Sequence, residues 1–446
     1  MFGTVCFSLG DGLSVVGLGF LIYGYYITTP TLPFPGAIAG IPAAATALLI
    51  LSGESALINR WFLGMGWLVY VGLISYPLYL WHWPLISFEY LMDYGERSRG
   101  VSLGLLFLAL FLSDLTWRFL ERPTRASKHV RVPVILFILL ALVGALGVIV
   151  GNKNGFPYRF DNEKTDELQK SKQLTWSLSG WVKSCPYGVD NSDGPEVVCE
   201  VLPARAASSR RIMLVGDSHA MAFAEALNEV RERSGIDFEG LIMAKGGCMP
   251  FAWVEKLDSR DDCHPFYASA YSYMTHESGI ETVILLGRWA SRFHGTGFGV
   301  DTKRHSFRDV RSAGQESQEE LFASTLRETI QALHAAGKRI IFIHQVPELG
   351  FNIKSCLPRP ISFKPVHECT IDRSIVESRQ SGYRARVREI LSDYPGVIVF
   401  DPMDDFCDRH TCYARMDGNY LYTDNNHLSD LGARRLGDSL IGLLKN

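Results

Sequence analysis

Several long apolar runs crowd the first 151 residues, near 12–29, 36–52, 70–91, 101–120 and 131–151, where charges are sparse. Crossing a bilayer takes about 20 mostly apolar residues, and inside it only a helix or a closed barrel satisfies its own backbone. Breakers separate the runs, such as Pro30-Thr31-Leu32-Pro33-Phe34-Pro35 between the first two. Trp61, Trp67, Trp81, Trp83 and Trp117 fall near the expected ends, where an indole can stand in the interface. The alternative is a buried helical domain, which would have to hide five such runs within 151 residues. The pattern predicts an α-helical transmembrane region of about five helices over 1–151.

Basic residues set its orientation. The loop from Glu121 to Arg131 carries Arg122, Arg125, Lys128 and Arg131, and such loops stay in the cytoplasm. The last run then leaves the cytoplasm, and everything after it is expected outside. The N-terminus is expected inside without a cleavable signal peptide, because a basic leader is missing. The cysteines agree independently. Cys6 stands alone, while Cys185, Cys199, Cys248, Cys263, Cys356, Cys369, Cys407 and Cys412 all lie in the expected exterior part. An even number on one side is what an oxidising compartment produces. Neighbours in sequence suggest the pairs 185–199, 248–263, 356–369 and 407–412. Zinc is the rival explanation, but no Cys-x-x-Cys or clustered Cys/His spacing supports it, so no metal is expected.

Beyond the membrane region, residues 152–208 have mixed polarity and read as a linker and adapter. From 209 to 446 apolar strands alternate with amphipathic helices. Strands are expected at 211–216, 239–243, 281–286, 339–344 and 396–400, and helices at 219–233, 317–336, 373–392 and 430–444. That alternation implies an α/β domain, a three-layer arrangement with a parallel sheet covered on both faces. The net charge of −3 gives no pointer to nucleic acid.

One stretch of this domain carries chemistry. Ile212-Met213-Leu214-Val215 suits a buried strand and runs into Gly216-Asp217-Ser218-His219, after which Ala220 to Leu227 reads as a helix. A serine at that point sits at the carboxyl edge of an open sheet, where ligands bind, and beside a helix N-terminus that favours developing negative charge. Alternatively, Asp217 and Ser218 merely cap the helix. Near the C-terminus, Asp424 and His427 are three apart in Tyr422-Thr423-Asp424-Asn425-Asn426-His427-Leu428-Ser429, so one turn presents both to one spot. A serine hydroxyl needs an adjacent base, and the base needs a group that holds its tautomer. The plainer alternative is a helix start with a solvated histidine.

Gly-Asp-Ser after the first strand and Asp-x-x-His near the end resemble the first and last blocks of the SGNH (GDSL-like) esterase and acyltransferase superfamily. The resemblance implies Ser218 as nucleophile, His427 as base and Asp424 as its orienting partner. The family's glycine block, a source of an oxyanion N–H, falls in Lys245-Gly246-Gly247-Cys248, which points to Gly247. The family's asparagine block should follow Val283-Ile284-Leu285-Leu286, but the chain reads Gly287-Arg288-Trp289-Ala290. Losing one oxyanion donor costs about a hundred- to a thousandfold in rate, so Arg288 or a backbone N–H is expected to substitute, or the domain is a slow hydrolase tuned to another acceptor.

In the membrane region, Ser75-Tyr76-Pro77-Leu78-Tyr79-Leu80-Trp81-His82-Trp83-Pro84-Leu85 and Phe119-Leu120-Glu121-Arg122-Pro123 resemble the closing helices of the acyltransferase type 3 family. Members move acyl groups, usually acetyl, from cytoplasmic acyl-CoA to carbohydrate beyond the membrane, and some carry a C-terminal SGNH domain. The family's membrane domain usually has more helices, with an acyl-handling histidine in the first. The resemblance therefore implies a further N-terminal membrane half as a partner. His82 reads either as an interfacial histidine between two tryptophans or as a replacement for the absent one.

The stretch Trp289 to Glu316, rich in Arg, His and Gly, is long and polar enough for an acceptor-binding lid. Trp289 would stack on a sugar face or lie buried in the core. The expected function is a membrane O-acetyltransferase acting on sugar hydroxyls of a surface polysaccharide or lipopolysaccharide O-antigen. It would sit in the bacterial inner membrane as a multi-pass protein, its C-terminal domain periplasmic, with the lipid bilayer and a glycan acceptor as partners. Acetyl-CoA is the expected donor, with no tightly bound cofactor. The alternatives are an exterior esterase using water, and a non-catalytic glycan-binding module.

Overall fold

The computed structural model describes residues 8–28, 36–93, 99–156, 174–178, 180–183, 197–206, 210–257, 263–312, 314, 316–357 and 367–445. The chain divides into two compact units, Met1–Leu91 with Gly95–Gly155, and Met92–Tyr94 with Phe156–Asn446.

The first unit is helical. Its main helices are α1 (Leu9–Ile27), α2 (Gly40–Leu51), α3 (Gly66–Asp93), α4 (Arg99–Thr116) and α5 (Arg131–Asn152). Ser8 and Asp11 form a reciprocal capping box at the start of α1, and Asp11 Oδ1 also accepts the Leu57 N–H at 2.7 Å. Gly17 of α1 lies against Ala45 and Leu49 of α2, where a Cβ would meet the Ala45 carbonyl at 3.0 Å. The large apolar side chains of α4 and α5 mostly point outward and stay exposed, the reverse of a soluble core helix. Among the described residues, two helical stretches are long and apolar enough to cross a membrane, Gly100–Ala126 and Arg131–Asn152. The run expected at 36–52 forms α2, whose 12 residues reach only about 18 Å, short of a bilayer core of about 30 Å. The proline loop expected at 30–35 lies outside the described residues. Within α3, His82 Nδ1 donates to the Leu78 carbonyl of its own helix at 3.1 Å.

The second unit is an α/β layer structure. Its seven-stranded sheet runs β1-β2-β4-β3-β6-β8-β10, built from Val182–Lys183, Val197–Leu202, Phe238–Lys245, Arg210–Gly216, Ile280–Leu286, Arg339–Ile343 and Ile398–Phe400 in that order. The five strands from β4 to β10 are parallel, and β2 pairs antiparallel with β4 through Cys199↔Met243 and Val201↔Leu241. Strand alternation divides the apolar residues between two cores. Ile212, Leu214, Ile242, Ile284 and Ile341 join one core, and Met213, Val215, Met243, Val283 and Phe342 the other. The first face is covered by α6 (Ser218–Ser234), α11 (Asp430–Arg435) and α12 (Gly437–Lys445). The second is covered by α7 (Cys263–His276), α9 (Gln318–Ala335) and α10 (Arg373–Leu391), with α8 (Trp289–His294) in between. Every expected strand of the parallel sheet is present. The helix expected at 430–444 is interrupted at Leu436, and the next residue, Gly437, is pressed against α6, where a Cβ would sit 2.7 Å from Glu229 Cγ. Helix α7 and the antiparallel strands β1 and β2 add to what the sequence predicted.

The expected lid from 289 to 316 is folded onto the domain. After α8, Gly295–His305 turns back on itself through a Thr296↔Arg304 bridge. Next, β7 (Phe307–Asp309) pairs antiparallel with β5 (Val254–Lys256). Of the expected disulfides, 248–263 and 407–412 are formed. Cys185 lies outside the described residues. Cys356 and Cys369 are not joined, and instead stand as buried neighbours in hydrogen-bond contact, with that contact and burial pushing the Cys356 thiol above its ordinary value.

Candidate active site

Strand β3 ends at Gly216 beside β6, so close that a Cβ would overlap the Leu286 carbonyl. Only glycine lets the chain turn there. Tyr267 of α7 ties this strand end to its neighbour, its hydroxyl donating to Gly216 O at 2.8 Å and accepting from Lys245 N at 2.9 Å. The turn delivers Asp217 as the N-cap of α6 and Ser218 as its first residue. Asp217 thus caps the helix, while the Ser218 hydroxyl faces the His427 ring.

Ser218 Oγ and His427 Nε2 are 2.7 Å apart, although 209 residues separate them in sequence. On the far side of the ring, His427 Nδ1 lies 2.6 Å from Asp424 Oδ2. Asp424 Oδ1 accepts the backbone N–H groups of Asn426 and His427, each at 2.8 Å. Burial alone would raise the Asp424 carboxyl, but the His427 ring and these N–H donors hold it well below the usual carboxylate range. The segment that carries both residues is braced by Leu349 N to Asn425 O at 2.9 Å and by Ser429, whose hydroxyl donates to Tyr420 O at 2.8 Å. A hydroxyl, an imidazole and an ionised carboxylate thus stand in line, the arrangement needed to withdraw the hydroxyl proton during attack on a carbonyl.

Asp217 is fully buried and accepts three hydrogen bonds, from His219 N at 3.0 Å, Arg288 N at 3.1 Å and Arg292 Nη2 at 2.9 Å. Burial opposes its charge most strongly, but the Arg292 guanidinium together with the backbone N–H donors of His219 and Arg288 holds the carboxyl below its ordinary value. The sequence did not single out Arg292 as a site residue. An arginine inside the Trp289–His294 segment, six residues after the end of a buried strand, was the available signal for it.

Arg288, expected as a substitute oxyanion donor, is committed elsewhere. Its backbone N–H serves Asp217, and its side chain is held by Glu348 (Nε–Oε1 2.7 Å) and Asp301 (Nη1–Oδ2 2.6 Å). Arg379 Nε adds a bond to Glu348 Oε2 at 2.9 Å, closing a buried ion network that anchors the 295–305 turn. Trp289 offers no sugar platform. It has no exposed surface, its ring is stacked near Phe251 and Phe342, and its Nε1 donates to Ile343 O at 2.8 Å. Burial of both faces and the polar edge leaves nothing for a ligand. Gly247 lies on the loop after β4, at φ +73°, a left-handed conformation that favours glycine, and the 248–263 disulfide closes that loop. Among the described residues, no group of three His, Cys, Asp or Glu is placed to hold a metal ion.

Among characterised proteins, the O-acetyltransferase OatA of Staphylococcus aureus (strain NCTC 8325 / PS 47) is 26% identical over 176 residues, covering 37% of this chain and 26% of that protein. The chain thus matches only about a quarter of the length of such relatives. The periplasmic domain of a lipopolysaccharide acetyltransferase from Salmonella ser. Paratyphi A superposes with a TM-score of 0.41 at 19% identity, over 54% of this chain and 85% of that one. An acetyl xylan esterase, AlAXEase, superposes with a TM-score of 0.31 at 14% identity, over 52% of this chain and 99% of that one. Residues 184–441, more than half of the chain, match the family described as the SGNH domain fused to AT3 domains, and the chain belongs to that family.

Proposed function

We propose that this chain is an O-acetyltransferase that passes an acetyl group through Ser218 to a sugar hydroxyl of a cell-surface glycan. The observation that carries the reading is the continuous line from Ser218 Oγ through the His427 ring to Asp424, with both links shorter than 2.8 Å. In the first half-reaction Ser218 Oγ attacks the donor carbonyl while His427 Nε2 takes the hydroxyl proton. That proton then goes to the leaving group as the donor bond breaks, and acetyl-Ser218 remains. In the second, His427 takes the proton of the acceptor hydroxyl, the sugar oxygen attacks the acetyl carbonyl, and the proton returns to Ser218 Oγ.

With Arg288 committed to Asp217, Glu348 and Asp301, we assign the oxyanion to main-chain donors, the N–H groups of Ser218 and Gly247. Transfer rather than hydrolysis is supported by the family description, which pairs the domain with an AT3 membrane domain that an esterase has no use for, and by the O-acetyltransferase among its relatives. In this reading acetyl-CoA supplies the acetyl group on the cytoplasmic side, the membrane region hands it across the bacterial inner membrane, and the SGNH domain works outside.

The test is Ser218→Ala in the full chain, scored by acetylation of the host's surface glycan and by an acetyl adduct on the protein. Loss of a serine nucleophile costs about a thousandfold or more, so both signals should vanish. Glycan acetylation that persists unchanged would remove Ser218 from the mechanism.

A further inference from the structure

The bond between Ser218 and His427 is one of two that join the same two segments. One residue further along α6, His219 Nε2 lies 2.9 Å from Oδ1 of Asn426, the residue just before His427. Asn426 Nδ2 donates to Asn425 Oδ1 at 2.7 Å, which turns Asn426 Oδ1 toward His219. That oxygen can only accept, and the shared hydrogen belongs to His219. Burial keeps that ring neutral, pushing its pKa down to about 4. The rings of His219 and His427 are 5.0 Å apart, tilted by 51°. His219 and Asn426 are both only 4% exposed, so this second rung is buried, whereas the Ser218–His427 rung is only partly buried.

The two rungs fare differently during the reaction. Once Ser218 Oγ is esterified it has no proton to share, and its bond to His427 is lost. Yet His427 must stay in place, because it has still to take the proton of the acceptor hydroxyl. A misplacement of about 1 Å at such a base costs on the order of a hundredfold. The His219–Asn426 rung contains no reacting atom and survives both half-reactions.

We propose that His219 and Asn426 are positioning residues that hold the base-bearing segment against the nucleophile helix while Ser218 is acylated. They then act on the transfer half-reaction far more than on acylation. The inference rests on Ser218 being the nucleophile, and its test separates the two claims.

The full chain in detergent is given p-nitrophenyl acetate as donor, with water and then glycerol as probe acceptors. Nitrophenolate released in the first turnover reports acylation, the steady state reports discharge, and intact mass reports acetyl on the protein. For His219→Phe and Asn426→Ala the burst rate should fall less than about fivefold while turnover falls about a hundredfold, leaving acetyl-enzyme as the dominant species. His219→Gln keeps an N–H for Asn426 on a looser side chain and should recover much of the turnover lost in His219→Phe, while still discharging severalfold more slowly than the parent. Because it changes no charge and little volume, it also stands in if the other variants fail to fold, and its burst should then match the parent with a discharge slower than parent. Equal losses in both steps, or no loss in either, would overturn the proposal. A burst that survives in Ser218→Ala would instead overturn the reading beneath it.

Discussion

Replacing Asp424 by Asn is the sharpest perturbation of the line between Ser218 and Asp424. The carboxylate has two jobs on two different oxygens. Oδ1 receives the N–H groups of Asn426 and His427, and Oδ2 faces His427 Nδ1. An asparagine that keeps its oxygen on the two backbone donors must turn its NH₂ toward Nδ1. The ring then carries its proton on Nε2, facing Ser218, and cannot accept the serine proton. Flipping the amide restores the working tautomer but sets the NH₂ against two backbone N–H groups. Each donor left unsatisfied costs about 1–3 kcal/mol, so the working state lies about 2–6 kcal/mol uphill. At about 1.4 kcal/mol per decade this is a loss of roughly 30- to 20,000-fold. The top of that range agrees with the loss of about 10⁴ known for the same exchange in a serine protease triad. The assay is the nitrophenolate burst from p-nitrophenyl acetate, with thermal melting to show that the fold survives. A burst slowed by less than tenfold would refute the assignment of Asp424 as the residue that sets the His427 tautomer.

Two further outcomes follow from groups outside the membrane region. His219 and His344 are both buried and pushed down to about 4, His219 chiefly by burial and His344 by burial and the neighbouring Arg384. Each stays neutral in the fold while the unfolded chain binds a proton near pH 6.5. The stability they confer is therefore complete above about pH 6.5 and lost as pH falls toward 4, by about 3 kcal/mol each. Urea midpoints of the full chain between pH 7 and 4.5 should fall accordingly, with a shallower slope in His219→Gln, and an equal slope would refute the assignment. Separately, Cys248→Ser should destabilise the domain by about 3 kcal/mol, since the disulfide closes a loop of 15 residues. A melting curve that does not respond to that change would show that the crosslink contributes nothing to stability.

The parallel sheet was legible because its strands are short apolar runs bounded by turns, and because alternate residues such as Met213 and Leu214 serve opposite faces. Ser218, Asp424 and His427 were legible because their chemistry demands particular residue types at short local spacing. What escaped the sequence depends on partners far along the chain. Val197–Leu202 reads as part of a linker until β4 is present to pair with it. Arg288 looked like a free cation because nothing nearby in sequence announces Glu348 or Asp301. Trp289 was ambiguous for the same reason, since Phe251 and Phe342 bury it from either side of the chain. The expected 356–369 disulfide followed proximity in sequence, which brings two thiols together without joining them.

The tie made by Tyr267 has a consequence for selectivity. It locks the strand end that leads into Ser218 to the strand end that leads into the Gly246–Gly247 turn, and the 248–263 crosslink fastens the same turn from its other side. Groups fastened on both flanks do not wait for a ligand to assemble them, so no binding energy is drawn off into a closing motion and none is available to reward the right molecule. On the proposed acyl-Ser218 route, discrimination between an acceptor alcohol and water then falls to whatever the rim holds still long enough to react. An enzyme built this way should not exclude poor acceptors, and its choice of product should be tunable by rim residues without touching the chemistry beneath.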